Sequence, residues 1–263
     1  MNFLNITGKT FLITGVANKK SVAYFSAKTL IENGAKAIFT VLNNETKQKV
    51  QALFPESDVY LLNVEVEEEI ADLAVVLKKK NIRLDGFLHS IAFANYSEGM
   101  RPFHETKLQD YLQASNISCF SLVALSNALK DIFNPDASVV TISISSTRAT
   151  NYGYMGPIKA SLDATVAYLA KSFSHFSKVR FNAVCSGPLK TSASAGIPGY
   201  VENYIYAEAL TMRHEALKTQ EVANSVVFLL SPASSGITAS NLLVDAGMSA
   251  NYFDEQVVEA FNK

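Results

Sequence analysis

The feature that most restricts the fold of this chain is the alternation of short apolar runs with longer segments of helical periodicity. Seven apolar runs are predicted to be strands: Thr10–Thr14, Ala37–Val41, Asp58–Leu62, Gly86–Ser90, Ser138–Ser143, Val179–Val184 and Asn241–Val244. Most of these runs are continuously apolar instead of alternating with polar residues. That pattern is typical of strands that are covered on both faces of a parallel sheet.

Five longer segments carry apolar residues at three- and four-residue spacing and are predicted to be helices: Ser21–Asn33, Glu67–Lys80, Leu108–Leu129, Tyr152–Ser174 and Gln220–Leu230. The alternation predicts an α/β fold, a doubly wound parallel sheet of about seven strands with helices on both faces. Residues 1–263 show no repeat or linker, so a single Rossmann-like domain is expected. The long connection at about 191–215 indicates a substrate-covering segment, with a pair of surface helices as the alternative.

Composition excludes several classes of function. Of the 263 residues, 48% are hydrophobic and 18% are charged, which excludes a disordered chain. The 23 basic and 24 acidic residues nearly balance, so no nucleic-acid partner is expected.

Cys119 and Cys185 lack paired spacing and are predicted to be buried thiols in a reducing compartment. The four histidines show no ligand spacing, so no metal site is expected. Without a signal sequence or an apolar run of about 18 residues, a cytoplasmic protein with no membrane partner is predicted.

Two turns in the first half of the chain have the properties of a nucleotide site. Ligands of such sheets bind at the carboxyl ends of the strands, where small residues, Gly15 and Ala17, follow the first strand. Ser21 stands where it would cap the next helix, whose N-terminus attracts anions. Only one glycine of the dinucleotide fingerprint is present, so this turn alone leaves the ligand open. The sequence Leu42-Asn43 after the second strand offers no cation for a 2′-phosphate, which favours NADH over NADPH.

Tyr152 and Lys159 form the candidate catalytic pair. They are seven residues apart, so on a helix they would share one face, whereas Tyr154 would lie off that face and serve in packing. A phenol can donate a hydrogen bond to a developing oxyanion, and a nearby ammonium can lower the phenol pKa and hold a nicotinamide ribose. The spacing alone also fits an ordinary tyrosine at a helix start with an exposed lysine.

Several motifs together resemble one family. Typical short-chain dehydrogenases carry their tyrosine four residues before the lysine, where this chain has Met155. The seven-residue spacing resembles instead the enoyl-[acyl-carrier-protein] reductases of bacterial fatty acid synthesis, a branch of the same superfamily. Further similar segments run from about residue 8 to about residue 250: Gly8–Gly15, Ser21–Tyr24, His89–Ala94, Lys159–Leu162, Arg180–Ala183, Ser186–Pro188 and Val244–Gly247.

The resemblance implies a set of site residues in addition to the catalytic Tyr152 and Lys159. The expected cofactor-binding residues are Gly15, Ala17, Ser21, Val22, Leu42, Asn63, Val64, Ser90, Ile91, Ala92, Lys159, Pro188, Leu189 and Thr191. The expected substrate-binding residues are Ala92, Phe93, Ala94, Ile144, Tyr152, Ala195, Tyr200 and Tyr204. Asn63 stands where the family usually has Asp, and Ile144 stands where it often has a second tyrosine.

The resemblance also implies an activity. The expected reaction is reduction of the trans-2 double bond of an enoyl thioester, held by acyl carrier protein, with hydride from NADH. A homotetramer is expected, because the family forms one and because the helices at 108–129 and 152–174 are apolar on more than one face. A specialised short-chain reductase of another pathway and a non-catalytic nucleotide-binding paralogue remain alternatives, the latter disfavoured by the Tyr152/Lys159 pair.

Overall fold

The apolar runs of the chain form one parallel sheet in the computed structural model, which describes residues 3–191, 194, 197, 199–260 and 262. Within these residues the strands are β1 (Thr10–Thr14), β2 (Lys36–Val41), β3 (Val59–Leu61), β4 (Leu84–His89), β5 (Phe133–Ile144), β6 (Arg180–Ser186) and β7 (Ser240–Val244). Their order is β3-β2-β1-β4-β5-β6-β7, with every neighbouring pair parallel. The predicted doubly wound sheet of seven strands is therefore confirmed.

Helices connect the strands on both faces of the sheet. Those described are α1 (Val22–Glu32), α2 (Asn44–Leu53), α3 (Glu67–Lys79), α4 (Leu108–Ser115), α5 (Ser121–Leu129), α6 (Met155–Phe173), α7 (Tyr200–Leu210), α8 (Thr219–Leu230) and α9 (Glu255–Ala260). The predicted helix over Leu108–Leu129 contains a π-helical segment, Asn116–Phe120, between α4 and α5. Helix α2 escaped prediction because Val50 is its one buried residue, so it carries almost no apolar periodicity.

Successive residues of each central strand enter different cores, which explains the continuous apolar runs. Leu12 of β1 belongs to the core under α3, α5 and α6, and its neighbours Phe11 and Ile13 belong to the core under α1 and α8. Val139 and Val140 of β5 divide between the two cores in the same way. Both faces of the sheet are therefore covered, as strands without polar alternation require.

The strand order reverses between β1 and β4, and this determines where a ligand can bind. The connections lead from β1 toward β3 on one side and from β4 toward β7 on the other. A crevice opens at such a point outside the carboxyl ends of the strands.

The predicted burial of both thiols is confirmed, since Cys119 and Cys185 are free and buried. Among the described residues, none of the helices is both long enough and apolar enough to cross a bilayer.

Candidate active site

The turn after β1 is held against the end of β4 so closely that only glycine fits. Gly15 has φ +83°, and a Cβ atom on it would lie 1.9 Å from the backbone oxygen of Ser90. Thr14 fixes the same approach, because its Oγ1 accepts from the Ser90 amide at 3.1 Å and donates to the Leu88 carbonyl at 3.0 Å. Gly15 and Ser90, both predicted cofactor residues, are therefore adjacent at the switch point of the sheet.

Helix α1 begins at this turn and points its N-terminus toward the crevice. Ser21 is its N-cap, and its Oγ accepts from the Tyr24 amide at 3.2 Å, as the sequence predicts. No acidic residue lies in the first turn, so nothing there opposes an anion. Val22 and Ser21 are nearly buried, whereas Ala17 is exposed at the turn. The geometry of this end suits a diphosphate.

The turns after β2 and β3 show polar side chains that are already engaged. Asn43 is the N-cap of α2, and its Oδ1 accepts from the Thr46 amide at 2.9 Å. Leu42 beside it is exposed. The Oδ1 of Asn63 accepts from the Glu65 amide at 3.0 Å, and Val64 is buried next to it. Because an amide oxygen has two lone pairs, Asn63 can still accept one hydrogen bond from a ligand.

A serine that sequence reasoning missed holds the loop after β4. Ser118 lies buried in the π-helical segment, and its Oγ accepts from the Phe93 amide at 2.9 Å and donates to the Phe93 carbonyl at 3.0 Å. Phe93 is 43% exposed and Ala92 is exposed as well, while Ile91 and Ala94 pack against the core. This predicted substrate loop is therefore positioned through its backbone. A serine inside an apolar helix is the sequence signal that could have revealed the clamp.

His89 at the end of β4 has a structural role. It is fully buried, with Nδ1 2.8 Å from Thr141 Oγ1 and Nε2 2.8 Å from Ser121 Oγ. Ser121 Oγ donates to the Ile117 carbonyl, so we assign the His89 proton to Nε2. Burial, aided by the charge of Lys159, lowers the pKa of His89 to about 3. The imidazole is therefore neutral at physiological pH and joins β4, β5 and the start of α5.

Lys159 is buried at the carboxyl end of the central strands. Its side chain is 4% exposed, and Nζ donates to the Ile142 carbonyl of β5 at 2.8 Å. Burial lowers the pKa of the ammonium to about 8, while the charge of Asp163 acts in the opposite direction. The alternative of an exposed lysine at a helix start is thus wrong. An ammonium has three protons, so two remain for other partners.

Tyr152 lies outside helix α6, which corrects the helical argument for its role. It ends a 3₁₀ turn, Thr150–Tyr152, and Gly153 with φ +58° separates it from the first residue of α6, Met155. Its position relative to Lys159 therefore follows from this turn and not from two turns of one helix. Burial raises the pKa of Tyr152 to about 12, so the expected lowering by Lys159 is also wrong. The phenol is protonated at neutral pH and can donate a hydrogen bond.

Tyr154 occupies a packing position. It is 7% exposed, its ring lies 5.6 Å from the ring of Tyr96 and 6.4 Å from that of Tyr111, and its hydroxyl donates to the Asn95 carbonyl at 3.1 Å. A shallow groove opens beside it, lined in part by Tyr96 and Gly153. Ile144 ends β5, where it pairs in register with Ser186 of β6.

The loop after β6 is bound to helix α7 through a predicted substrate residue. The Tyr200 hydroxyl accepts from the Leu189 amide at 2.8 Å and donates to the Leu189 carbonyl at 2.9 Å. Tyr204 is buried, with Lys190 Nζ 4.5 Å from its ring centroid. The two tyrosines thus pack on the loop that contains three predicted cofactor residues, Pro188, Leu189 and Thr191. Another predicted substrate residue, Ala195, lies outside the described residues.

Comparisons with known proteins give a consistent result. A family profile described as Enoyl-(Acyl carrier protein) reductase matches residues 15–249. The chain is 36% identical over 252 residues to the NADH-dependent enoyl-[acyl-carrier-protein] reductase FabI of Nostoc sp., covering 93% of this chain and 97% of the relative. It is 33% identical over 254 residues to the NADPH-dependent FabI of Staphylococcus aureus, covering 94% and 99%.

A solved structure agrees with the sequence relatives. The enoyl-acyl carrier protein reductase of Bacillus cereus, in complex with NADP⁺ and indole naphthyridinone, superposes with a TM-score of 0.88 at 32% identity. That match covers 94% of this chain and 98% of the solved chain.

Proposed function

Because this chain belongs to the enoyl-[acyl-carrier-protein] reductase family, a group of NAD(P)H-dependent oxidoreductases, we propose that it reduces the trans-2 double bond of an enoyl thioester carried by acyl carrier protein, in fatty acid synthesis. The observation that carries the proposal is Tyr152, a partly buried phenol whose pKa burial raises to about 12, so that it is protonated at neutral pH. We assign this activity to the cytoplasm, because two free buried thiols are typical of a protein in a reducing compartment.

The residues at the crevice fit a nicotinamide dinucleotide. Gly15 and the capped N-terminus of α1 would hold the diphosphate, and Asn63 with Val64 would flank the adenine. Lys159 would donate its remaining protons to the hydroxyls of the nicotinamide ribose. Bound there, the cofactor supplies a hydride for the β-carbon of the enoyl group.

The chain's own contribution to the chemistry is electrostatic. As hydride adds to the β-carbon, negative charge collects on the thioester oxygen, and the Tyr152 phenol is assigned to donate a hydrogen bond to that oxygen. Such a contact stabilises charge that exists only in the transition state and the enolate that follows it. Ser118 holds the backbone of Phe93, so the loop at residues 92–94 keeps its position while substrate binds.

NADH is proposed as the preferred cofactor. Asn43 uses its side chain to cap α2, and the first charged residue after β2 is the acidic Glu45. A 2′-phosphate would therefore meet no cation immediately after β2, and Lys49 of α2 is already bound to Glu45 at 2.6 Å. Titration with both cofactors tests this: a preference for NADPH above about tenfold, or about 1.4 kcal/mol, would contradict it.

The activity is tested with purified protein, NADH and crotonyl thioester, followed at the nicotinamide absorbance. Tyr152→Phe should lower kcat by about 10²–10³-fold, by analogy with the loss of one oxyanion donor, and leave NADH affinity nearly unchanged. Tyr154→Phe is the matched control. It should retain kcat and lose about 1 kcal/mol of stability, because it deletes the hydrogen bond to Asn95. The opposite pattern would refute the assignment of the two tyrosines.

A homotetramer is proposed as the working assembly. Large apolar side chains are exposed along α4, the π-helical segment and α6, namely Leu108, Leu112, Phe120 and Tyr168. These elements lie on one layer of the sheet, so a second copy of the chain could cover them together. Light scattering at micromolar concentration should give a tetramer, and a monomeric mass would refute the proposal.

A further inference from the structure

The hydrogen bonds of Lys159 do not neutralise the positive charge of its buried ammonium group. The ammonium is almost fully buried, and the Ile142 carbonyl accepts one of its three protons. A carbonyl satisfies a donor but leaves the charge uncompensated, and burial of an uncompensated charge is costly. A charged Lys159 therefore requires an acidic group in its surroundings.

Asp163 is placed to supply that group. It lies four residues after Lys159 on α6, so both side chains project from the same face of the helix. Asp163 is partly buried, and its Oδ1 lies 3.9 Å from the Sγ of Cys185 on β6. This contact points the carboxylate inward, toward the sheet.

The other titratable groups around Lys159 do not provide a negative charge. Cys185 of β6 is a buried thiol whose pKa burial raises to about 12, so it remains protonated. Cys119 of the π-helical segment is also a buried thiol, within 3.6 Å of the Ser161 hydroxyl. His89 of β4 is neutral, as described above. Among the described groups whose charges act on Lys159, Asp163 is the one carboxylate.

We propose that Asp163 is the counter-ion of Lys159, a positioning residue that keeps the buried ammonium charged and directed at the cofactor ribose. The last part rests on the proposed function, whereas the pairing itself does not. The effects on both partners are reciprocal. The charge of Asp163 raises the pKa of Lys159 against burial, and the charge of Lys159 lowers the pKa of Asp163 against burial.

The pairing is tested first in the ligand-free protein. Unfolding is measured for wild type, Asp163→Asn, Lys159→Met and the double variant at pH 6.5 and pH 9.5. The folded-state pKa of Lys159, about 8, lies below its ordinary 10.5, so the ammonium is charged at the lower pH and mostly neutral at the higher. Asp163→Asn should therefore destabilise the protein clearly at pH 6.5 and little at pH 9.5. In the Lys159→Met background that pH dependence should disappear.

The second readout is NADH binding by fluorescence between pH 6 and pH 9.5. In Asp163→Asn the ammonium should lose its proton at lower pH, so for a one-unit shift from about 8 the Kd near pH 7.5 should rise by up to about threefold. At pH 9.5, where Lys159 is neutral in both proteins, the two Kd values should converge. Asp163→Glu should restore most of the affinity, and Asp72→Asn on the exposed face of α3 should have no effect.

The two readouts separate the inference from the function on which its last part rests. If the wild type binds no NADH, the proposed function fails while the unfolding cycle still decides the pairing. If Asp163→Asn has the same pH profile as wild type in unfolding, or if its effect persists in the Lys159→Met background, Asp163 is not the counter-ion. A shifted unfolding profile with an unchanged NADH profile would retain the pairing and overturn the positioning role.

Discussion

Replacement of Gly15 by alanine tests how closely the ends of β1 and β4 must approach. The added methyl group would lie 1.9 Å from the backbone oxygen of Ser90 and 2.6 Å from its carbonyl carbon, and neither atom can rotate away. A non-glycine residue in the left-handed region costs about 1–2 kcal/mol. Forced overpacking adds about 1–3 kcal/mol. We therefore expect Gly15→Ala to lower the free energy of unfolding by about 2–5 kcal/mol.

Gly8 provides the matched control for this variant. Its φ of +76° is similar, but no atom of the described residues lies within 4 Å of the position that a Cβ atom would take. Gly8→Ala should therefore cost only the backbone component, about 1–2 kcal/mol. The restriction of the unfolded chain by the new methyl group is the same in both variants and cancels. The difference between them, about 1–3 kcal/mol, measures the contact with Ser90.

The assay is urea unfolding of both variants and wild type at one protein concentration, followed by NADH titration of the folded proteins. Gly15→Ala should also lose NADH affinity, because separation of β1 from Ser90 reshapes the crevice at the strand ends. Gly8→Ala should bind NADH as wild type does. Equal losses of stability in the two variants, or wild-type NADH affinity in Gly15→Ala, would refute the reasoning.

Three further outcomes follow from individual contacts. Tyr200→Phe should lower the stability of the ligand-free protein by about 1–3 kcal/mol, because it leaves the Leu189 amide unpaired. If Leu189 faces the nicotinamide amide, NADH titration should show tighter binding in that variant. Tyr96→Phe should keep or raise the melting temperature, since the Tyr96 hydroxyl is buried without a hydrogen-bond partner among the described residues. Arg213 lowers the pKa of Glu221 to about 2, so thermal melts should show Glu221→Gln losing its deficit against wild type as pH falls from about 4.5 toward 2.

The sign of the last prediction follows from linkage. The ordinary pKa of Glu221 is 4.5, and its pKa in the folded protein is about 2. The ion pair with Arg213 therefore stabilises the folded state fully above about pH 4.5. This contribution disappears as the carboxylate is protonated. Glu221→Gln keeps an oxygen for the Lys218 amide at the start of α8, so the comparison isolates the ion pair. A deficit that stays constant down to pH 2 would contradict the assignment.

The sheet could be predicted from the sequence because its determinants are local. Continuous apolar runs must be covered on both faces, and helical periodicity between them supplies the cover, so β1 was predicted to the residue. Gly15 and Ser21 were predicted for the same reason, since a turn and a helix cap depend on neighbours a few residues away. Tyr152 and Lys159 were recognised as a spaced pair, although the α-helix assumed to carry both begins only at Met155.

The tertiary structure decided what the site residues can do. Ser118 forms hydrogen bonds with Phe93, which lies 25 positions earlier in the chain. Lys159 of α6 donates to the Ile142 carbonyl of β5, the strand that precedes this helix in the chain. The hydroxyl of Tyr200, a residue predicted to face substrate, binds both backbone groups of Leu189. No periodicity encodes these contacts, because each depends on where a crossover returns the chain to the sheet. The shifts in pKa have the same origin: they follow from burial and from neighbouring charges, which exist only once the strands and helices have packed.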